Sequence, residues 1–324
     1  MGRVRYNIAL VVANILFGAN FSFYVSLTRY YLNFQQIFML QVTVAAIFFI
    51  PFALFSRRSW RITVEDFGTI FIVALLVIYG WMYMLLWGAS QTSPIDASTI
   101  ATLGPVFTLI VAHIVTPQPI SWIKSFGAVV AIAGAMVLLS DRGHDMLSST
   151  TEAFGNALVL CAVVAIAANT VLINNQLKRY GSLTIMGWYY IIGFVMVAPF
   201  FWGEIKGINP LKLPFGAIME LCYVIFLGTI LPMWLLYVGS ANLTAVHTAL
   251  YRYIQPVVAT ILSLLRGQNR IDRTNIAGAV LIFTGVVFVV AGNIIRKRLS
   301  APAESPAIGK SHSAEPPNDS RHEP

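Results

Sequence analysis

Residues 97–116 read ASTIATLGPVFTLIVAHIVT and residues 248–267 read TALYRYIQPVVATILSLLRG. Each stretch is apolar, and at about 20 residues it is long enough for one helix to cross about 30 Å of hydrocarbon. Laid over each other at a shift of 151 residues, Pro105 falls on Pro256, Val106 on Val257 and Ile110 on Ile261. The register holds outward in both directions: Gly88 falls on Gly239, Ile120 on Ile271, Gly127 on Gly278, Ala128 on Ala279, Val129 on Val280 and Gly134 on Gly285. Nearer the N-terminus the shift is 149, with Asn7 on Asn156, Ala13 on Ala162, Ala19 on Ala168, Asn20 on Asn169 and Tyr31 on Tyr180. Apolar residues match by chance because they are abundant. Pro, Gly and Asn matched in register mark an internal repeat.

Runs of this kind fill most of the chain, at residues 6–27, 36–55, 67–88, 97–116, 121–140, 154–175, 184–203, 216–238, 245–265 and 274–295. They lack the alternation of a barrel strand, so helices are the spanning element. The fold class expected is all-α integral membrane, with ten transmembrane helices as two inverted five-helix repeats, 6–140 and 154–295. Five is odd, so the second repeat enters the membrane from the opposite side. The repeats are then related by a pseudo-two-fold axis in the membrane plane, a plan that lets a carrier exchange inward- and outward-open states.

Composition agrees. Of 324 residues, 57% are hydrophobic and 10% charged, against about 25% charged in soluble domains. A soluble enzyme, a coiled coil and a nucleic-acid binder are therefore excluded. The 21 Lys and Arg are scattered between apolar runs, not gathered into a polyanion-binding block. Cys161 and Cys222 give neither a disulfide framework nor metal-ligand spacing, and no cofactor is expected. Arg3 and Arg5 precede a run too long for a signal peptide, and no small-residue cleavage site follows it, which predicts an uncleaved helix. Tyr6 stands where myristoylation needs Ser or Thr. Residues 300–324, rich in Pro and Ser and without an apolar run, predict a disordered cytoplasmic tail. With the N-terminus inside, inner segments hold 11 Lys and Arg before the tail and outer links hold 7. That bias places both termini in the cytoplasm and the protein in the plasma membrane (a bacterial inner membrane is expected), although Arg266, Arg270 and Arg273 in the last outer link oppose it.

The segment from Ala97 through Pro105 to the small-residue helix 127–139, and its partner from Thr248 through Pro256 to 278–290, resemble the paired EamA-type repeats of the drug/metabolite transporter superfamily. The resemblance covers about residues 6–295. It implies a ten-helix transporter with cytoplasmic termini that moves metabolites, amino acids or xenobiotics. Many relatives carry a Gly-Glu pair just after the fourth and ninth spans. Here the chain has Thr116-Pro117-Gln118 and Gly267-Gln268, so a role resting on that Glu does not carry over.

Polar residues within the spans are the candidate site. Arg252 is the one Lys or Arg well inside a span. A charge in lipid costs several kcal/mol unless it is paired or lines a wet cavity. It stands four residues before Pro256, where the missing N–H and the ring kink a helix, and it shares a helical face with Thr248 and Gln255. Either it faces a central cavity and binds an anionic group, or its long stem snorkels to the surface. Glu220, the one carboxylate within a span, is the candidate for proton coupling. Its place in the first turns of its helix equally suits an interfacial residue. Asn20 and Asn169 are repeat mates that suit either substrate hydrogen bonding or interhelical contacts. Tyr79 and Tyr83, four apart on one face, suit either a cavity wall or an interfacial belt. Pro105 and Pro256 are the expected kinks. Gly127, Ala131 and Gly134, with Gly278 and Gly285, make small-residue flanks for helix packing or for a homodimer. His113 and His247, near span ends, are structural or interfacial.

No phosphate-binding loop, zinc-protease helix or nucleophile elbow is present, and Ser121-x-x-Lys124 is a common coincidence at a helix start. The function expected is therefore a non-enzymatic secondary transporter. It moves a small organic metabolite, amino-acid-like or anionic, across the lipid bilayer by alternating access. The rivals are a membrane-embedded enzyme acting on lipid, and a channel or sensor.

Overall fold

A computed structural model describes residues 2–55, 62–115, 122–140, 146–209, 213–243, 248–249, 251–268, 276–285 and 287–288. The expectations placed on Arg57, Arg58, Arg61, Thr116–Gln118, Arg142, Lys212, His247, Arg270, Arg273 and the tail 300–324 lie outside the described residues. Among the described residues the protein is helical throughout, without strands. A hydrocarbon interior leaves the backbone no partner but itself, and an apolar run satisfies that by winding into a helix.

The helices in chain order are α1 Gly2–Tyr30, α2 Phe34–Phe55, α3 Val64–Gln91, α4 Pro94–Ala101, α5 Gly104–Val115, α6 Trp122–Ser140, α7 Met146–Leu172, α8 Asn174–Tyr180, α9 Ser182–Lys206, α10 Phe215–Asn242, α11 Ile254–Leu265 and α12 Ile276–Gly285. Among the described residues, seven stretches are long and apolar enough to cross a membrane: Val4–Tyr30, Phe34–Pro51, Val64–Gln91, Pro94–Val115, Thr150–Leu172, Ser182–Lys206 and Phe215–Asn242. Their outer surfaces are apolar too: Phe200 is 80% exposed and Phe215 76%. Such side chains are costly in water and at home in lipid.

Local chemistry sets the ends. Asn33 caps α2 reciprocally: its Oδ1 accepts from the Gln36 N–H at 2.7 Å, and Gln36 Oε1 accepts from the Asn33 N–H at 3.1 Å. Ser93 accepts from the Asp96 N–H at 3.0 Å, with Pro94 as the first residue of α4. Between α8 and α9, Gly181 adopts φ 83°, which a side chain would oppose.

Two features bend the bundle. The helix widens to i→i+5 bonding at Leu76–Tyr83 in α3 and at Tyr223–Ile230 in α10. The chain also breaks before each of the paired prolines. Pro105 has no N–H for the Ala101 carbonyl. The backbone there tightens to i→i+3 bonds, from Thr102 to Thr99 and from Leu103 to Ile100, both 3.0 Å. In the second half the turn Tyr251–Tyr253 tightens in the same way, just ahead of Pro256 in α11.

Packing follows the repeat. α2 lies on α9, α3 on α7, α1 on α10, α5 on α7, α1 on α11, and α4 on α11. Exchanging the two halves of the chain maps the first five of these pairs onto one another: α2 with α9 onto itself, α3 with α7 onto α10 with α1, and α5 with α7 onto α11 with α1. Small residues set the spacing. A Cβ on Gly88 would lie 2.6 Å from the Gly155 carbonyl oxygen and 2.8 Å from Val159 Cγ2. Its repeat mate Gly239 likewise receives Leu10, with Cδ2 2.4 Å from where a Cβ would be.

Gly68, by contrast, has nothing within 4 Å of a built Cβ. Gly68→Ala is therefore expected to stabilise by about 0.5–1 kcal/mol, the helix-propensity difference alone. A thermal melt of purified protein in detergent should rise slightly; a lower melt would mean that α3 is not helical there.

Candidate functional site

Between α1, α3, α10 and the turn that leads into α11 lies a small cavity of about 50 Å³. Its polar lining is Asn20, Tyr24, Gln41, Thr229, Arg252 and Gln255, and its aromatic lining is Phe17, Phe21 and Trp81. The first three polar residues come from α1 and α2, the others from α10 and the 251–256 turn, so both halves of the chain contribute.

Arg252 sits in the tight turn Tyr251–Tyr253 and is 7% exposed. Its stem is wedged against the backbone that follows the α4 break. A Cβ on Gly104 would lie 2.8 Å from Arg252 Cδ and 3.2 Å from Nε. The side chain is thus held against the cavity, not carried to a surface. The ion pairs among the described residues are Arg179 with Asp66 at 2.6 Å, and Arg266 with Glu220. Neither involves Arg252, so no described carboxylate neutralises it.

Gln255 is one turn on. Its Nε2 donates to Asn14 Oδ1 at 2.7 Å, and Asn14 Nδ2 donates to the Leu10 carbonyl at 2.7 Å. This chain ties α11 to α1 through buried groups. Asn20 Oδ1 is buried and has no hydrogen-bond partner among the described residues. It rests over Gly228, where a Cβ would stand only 2.0 Å from it. Gln41 is 2% exposed, and its Nε2 donates to Thr229 Oγ1 and, at 3.4 Å, to the Val224 carbonyl.

Other sequence candidates lie elsewhere. Asn169, the repeat mate of Asn20, is fully buried outside the cavity. Its Nδ2 donates to the Tyr189 hydroxyl at 3.3 Å, and its Oδ1 accepts from the Tyr237 hydroxyl at 3.4 Å. Tyr79 donates to the Met196 carbonyl at 3.1 Å, across to α9. Tyr83 packs among Phe34, Phe38, Trp87 and Phe201. The tyrosines do share a face, with ring centroids 6.3 Å apart. That face meets α2 and α9, while Trp81, inside the widened stretch, reaches the cavity. Glu220 is paired with Arg266, whose guanidinium lies 4.6 Å above the Phe23 ring. Span lengths alone offer Glu220 no such partner, because Arg266 reads as an exposed link residue.

Gln41, Gly228 and Gly104 are not among the sequence candidates. A lone glutamine within the apolar run of α2 is a legible signal for the first; nothing marks the glycines. The small-residue flanks of α6 and α12 meet each other. A Cβ on Gly134 would lie 2.8 Å from the Gly278 carbonyl oxygen, and one on Gly285 2.4 Å from the Gly127 carbonyl oxygen. Among the described residues no group of three His, Cys, Asp or Glu stands close enough to hold a metal.

Two further sets of bonds tie the halves together. In one, Asp66 accepts from Arg179 at 2.6 Å and from the Tyr180 hydroxyl at 2.6 Å. In the other, Ser22 donates its hydroxyl to Gln268 Oε1, and Gln268 Nε2 donates to the Ser22 carbonyl at 2.9 Å.

Among the described residues the chain is a helical bundle with an apolar coat and a buried, largely apolar cavity that a few polar side chains enter, the build of an integral membrane protein. The chain belongs to the EamA-like transporter family, whose model matches residues 4–140 and again 153–291. It is 23% identical over 225 residues, 69% of this chain and 73% of the relative, to an uncharacterized transporter, YyaM, of Bacillus subtilis. It is 25% identical over 270 residues, 81% of this chain and 83% of the relative, to the S-adenosylmethionine uptake transporter of Rickettsia felis. A crystal structure similar in fold, at a TM-score of 0.63 and 14% identity, covers 89% of this chain and 98% of its own.

Proposed function

We propose that this EamA-family protein is a secondary transporter of ten helices in two inverted repeats, with both termini cytoplasmic in the plasma membrane of a bacterium. It carries a small organic metabolite bearing an anionic group, and it does so by alternating access. The exchange symmetry of the helix pairs and the two family matches support the repeat plan. The observation that carries the substrate class is Arg252: a buried cation on the cavity wall with no carboxylate partner among the described residues. An isolated buried charge costs several kcal/mol, and a bound anion removes that cost. Asn20 and Gln255 add hydrogen-bonding capacity beside it. Pro105 and Pro256 hold the helix breaks that bring Gly104 and Arg252 together. Tyr79, Tyr83 and Asn169 brace the surrounding helices, and Glu220 acts through its pair with Arg266 and not as a cavity acid. The two ties, Asp66 with Arg179 and Ser22 with Gln268, join the halves and would have to break and reform as they rock against each other.

Counterflow into proteoliposomes, across a panel of organic acids and amino acids, tests this. S-adenosylmethionine, named for two relatives, belongs in the panel because it carries a carboxylate. Arg252→Gln is expected to weaken uptake of the best substrate by about 10-fold or more, since a charge-assisted bond contributes about 1.5–3 kcal/mol. Undiminished uptake by the variant sinks the anion assignment. Currents without saturation would favour a channel instead.

A further inference from the structure

We infer that the groove between α2, the start of α9 and α10 is a binding site for an anionic phospholipid, with an acyl chain lying in the groove and the headgroup phosphate at Lys178. The inference is independent of the anion assigned to the cavity.

The groove has a volume of about 340 Å³, and every described side chain that lines it is hydrophobic: among them are Phe48 of α2, Leu183 of α9, and Phe226, Leu227, Leu231 and Trp234 of α10. Phe48, Phe226, Leu227 and Trp234 are exposed. Part of its wall is the widened stretch Tyr223–Ile230. Gly228 and Thr229 of that stretch line the cavity while Phe226 and Leu227 line the groove, so one piece of α10 separates the two. From Phe226 to Trp234 is about 12 Å along the helix axis. That length fits within the hydrocarbon of one leaflet, which is about 15 Å deep, half of the bilayer core.

In a bilayer such a space does not stay empty, because lining atoms without neighbours forfeit their contact energy. An acyl chain suits it chemically. Lipid tails, however, are as apolar as leucine, so the groove by itself prefers no lipid over another. Selection has to come from the headgroup, and one end of the groove is basic. Asn174 Nδ2, at the start of α8, donates to the Ser240 carbonyl at 3.4 Å, which sets α8 near the end of α10 that carries Trp234. Leu183 follows α8 directly, across the turn at Gly181. The last turn of α8 holds Lys178 and Arg179. Arg179 is committed to Asp66, whereas Lys178 is exposed and belongs to neither ion pair of the described residues. A basic residue at the membrane surface favours an anionic lipid over a zwitterionic one by about 5-fold.

The test reads the fluorescence of Trp234. The full-length chain is reconstituted in phosphatidylcholine brominated on its acyl chains, which quenches the tryptophans it touches. Unbrominated phosphatidylglycerol is then titrated in, and the share due to Trp234 is the difference between the parent and Trp234→Phe. Without selection, half of that fluorescence returns at equal fractions of the two lipids. With the expected 5-fold preference it returns at about 17 mol% phosphatidylglycerol. Lys178→Gln should move the midpoint back to equal fractions, and Lys178→Arg should keep it low, which separates a lost headgroup contact from a misfolded protein. A parent midpoint at equal fractions means ordinary annular lipid only and overturns the site. So does a preference that survives Lys178→Gln. If brominated phosphatidylcholine alone leaves Trp234 unquenched, protein covers the groove, as a second copy of the chain would, and the lipid assignment falls. The anion assignment to Arg252 stands or falls on its own experiment.

Discussion

Gly285→Ala is expected to lower stability by about 2 kcal/mol, although alanine is the better helix former. Propensity alone favours the substitution by about 1 kcal/mol. Against it stands geometry: a Cβ at 285 would lie 2.3 Å from the Ala131 amide nitrogen and 2.4 Å from the Gly127 carbonyl oxygen. Both are backbone atoms of α6, which no rotamer change can move aside. The helices must part by about an ångström or more. Overpacking of this sort costs about 1–3 kcal/mol, and the neighbouring side chains of α6 and α12 lose close packing as well. The steric term wins. Gly134→Ala should act in the same direction and more mildly, since its nearest backbone neighbours are Ile282 N at 2.7 Å and Gly278 O at 2.8 Å. Thermal denaturation in detergent reads both. A Gly285→Ala protein that melts at or above the parent would mean that α6 and α12 do not meet through these glycines.

Gly228→Ala is expected to strike function while sparing the fold. The new methyl would stand 2.0 Å from Asn20 Oδ1 and 2.5 Å from Cγ, and only then 3.2 Å from Asn20 Cβ. The atoms displaced belong to the end of a rotatable side chain, so the helices need not separate. Asn20 must swing away from its place on the cavity wall. Counterflow of the best substrate should fall by about 10-fold, the scale of one lost hydrogen bond to a charged group, at a melting temperature close to the parent's. A double-mutant cycle gives the sharper measure: in an Asn20→Ala background, Gly228→Ala should cost little. Additive losses would mean that the two residues act separately.

The contrast between these glycines and Gly68 explains which features are legible without the structure. Gly285, Gly134, Gly127 and Gly278 stand in matched register, and that repetition marks them as packing residues without showing what they pack against. Gly228 and Gly104 have no such mark. Each matters because of one long-range neighbour, Asn20 or Arg252, that a one-dimensional pattern does not reveal. Arg252 and Asn20 announce themselves by the cost of a polar group in an apolar run, and so does Asn169. Yet Asn169 satisfies its amide with two tyrosine hydroxyls, one on α9 and one on α10, whereas Asn20 meets a glycine. Matched positions in the two halves thus hold one braced amide and one whose oxygen has no partner among the described residues. Tyr79 and Tyr83 share one face, as their spacing predicts. The widened turns of α3 rotate that face toward α2 and α9, and helical periodicity says nothing about such a local change of pitch.

Apolar run length, Lys and Arg placement, and the matched Pro, Gly and Asn residues were enough for an all-helical membrane protein with an internal repeat. Those properties depend on transfer energies and backbone hydrogen bonding, which act residue by residue along the chain. Which polar side chains share the cavity, that Glu220 meets Arg266, and that Gln41 joins the wall were decided only when the helices packed. These depend on how each helix is rotated about its axis against its neighbours. The rotation is set by close approaches such as Gly88 on Gly155 and Gly239 on Leu10, between residues far apart in the chain.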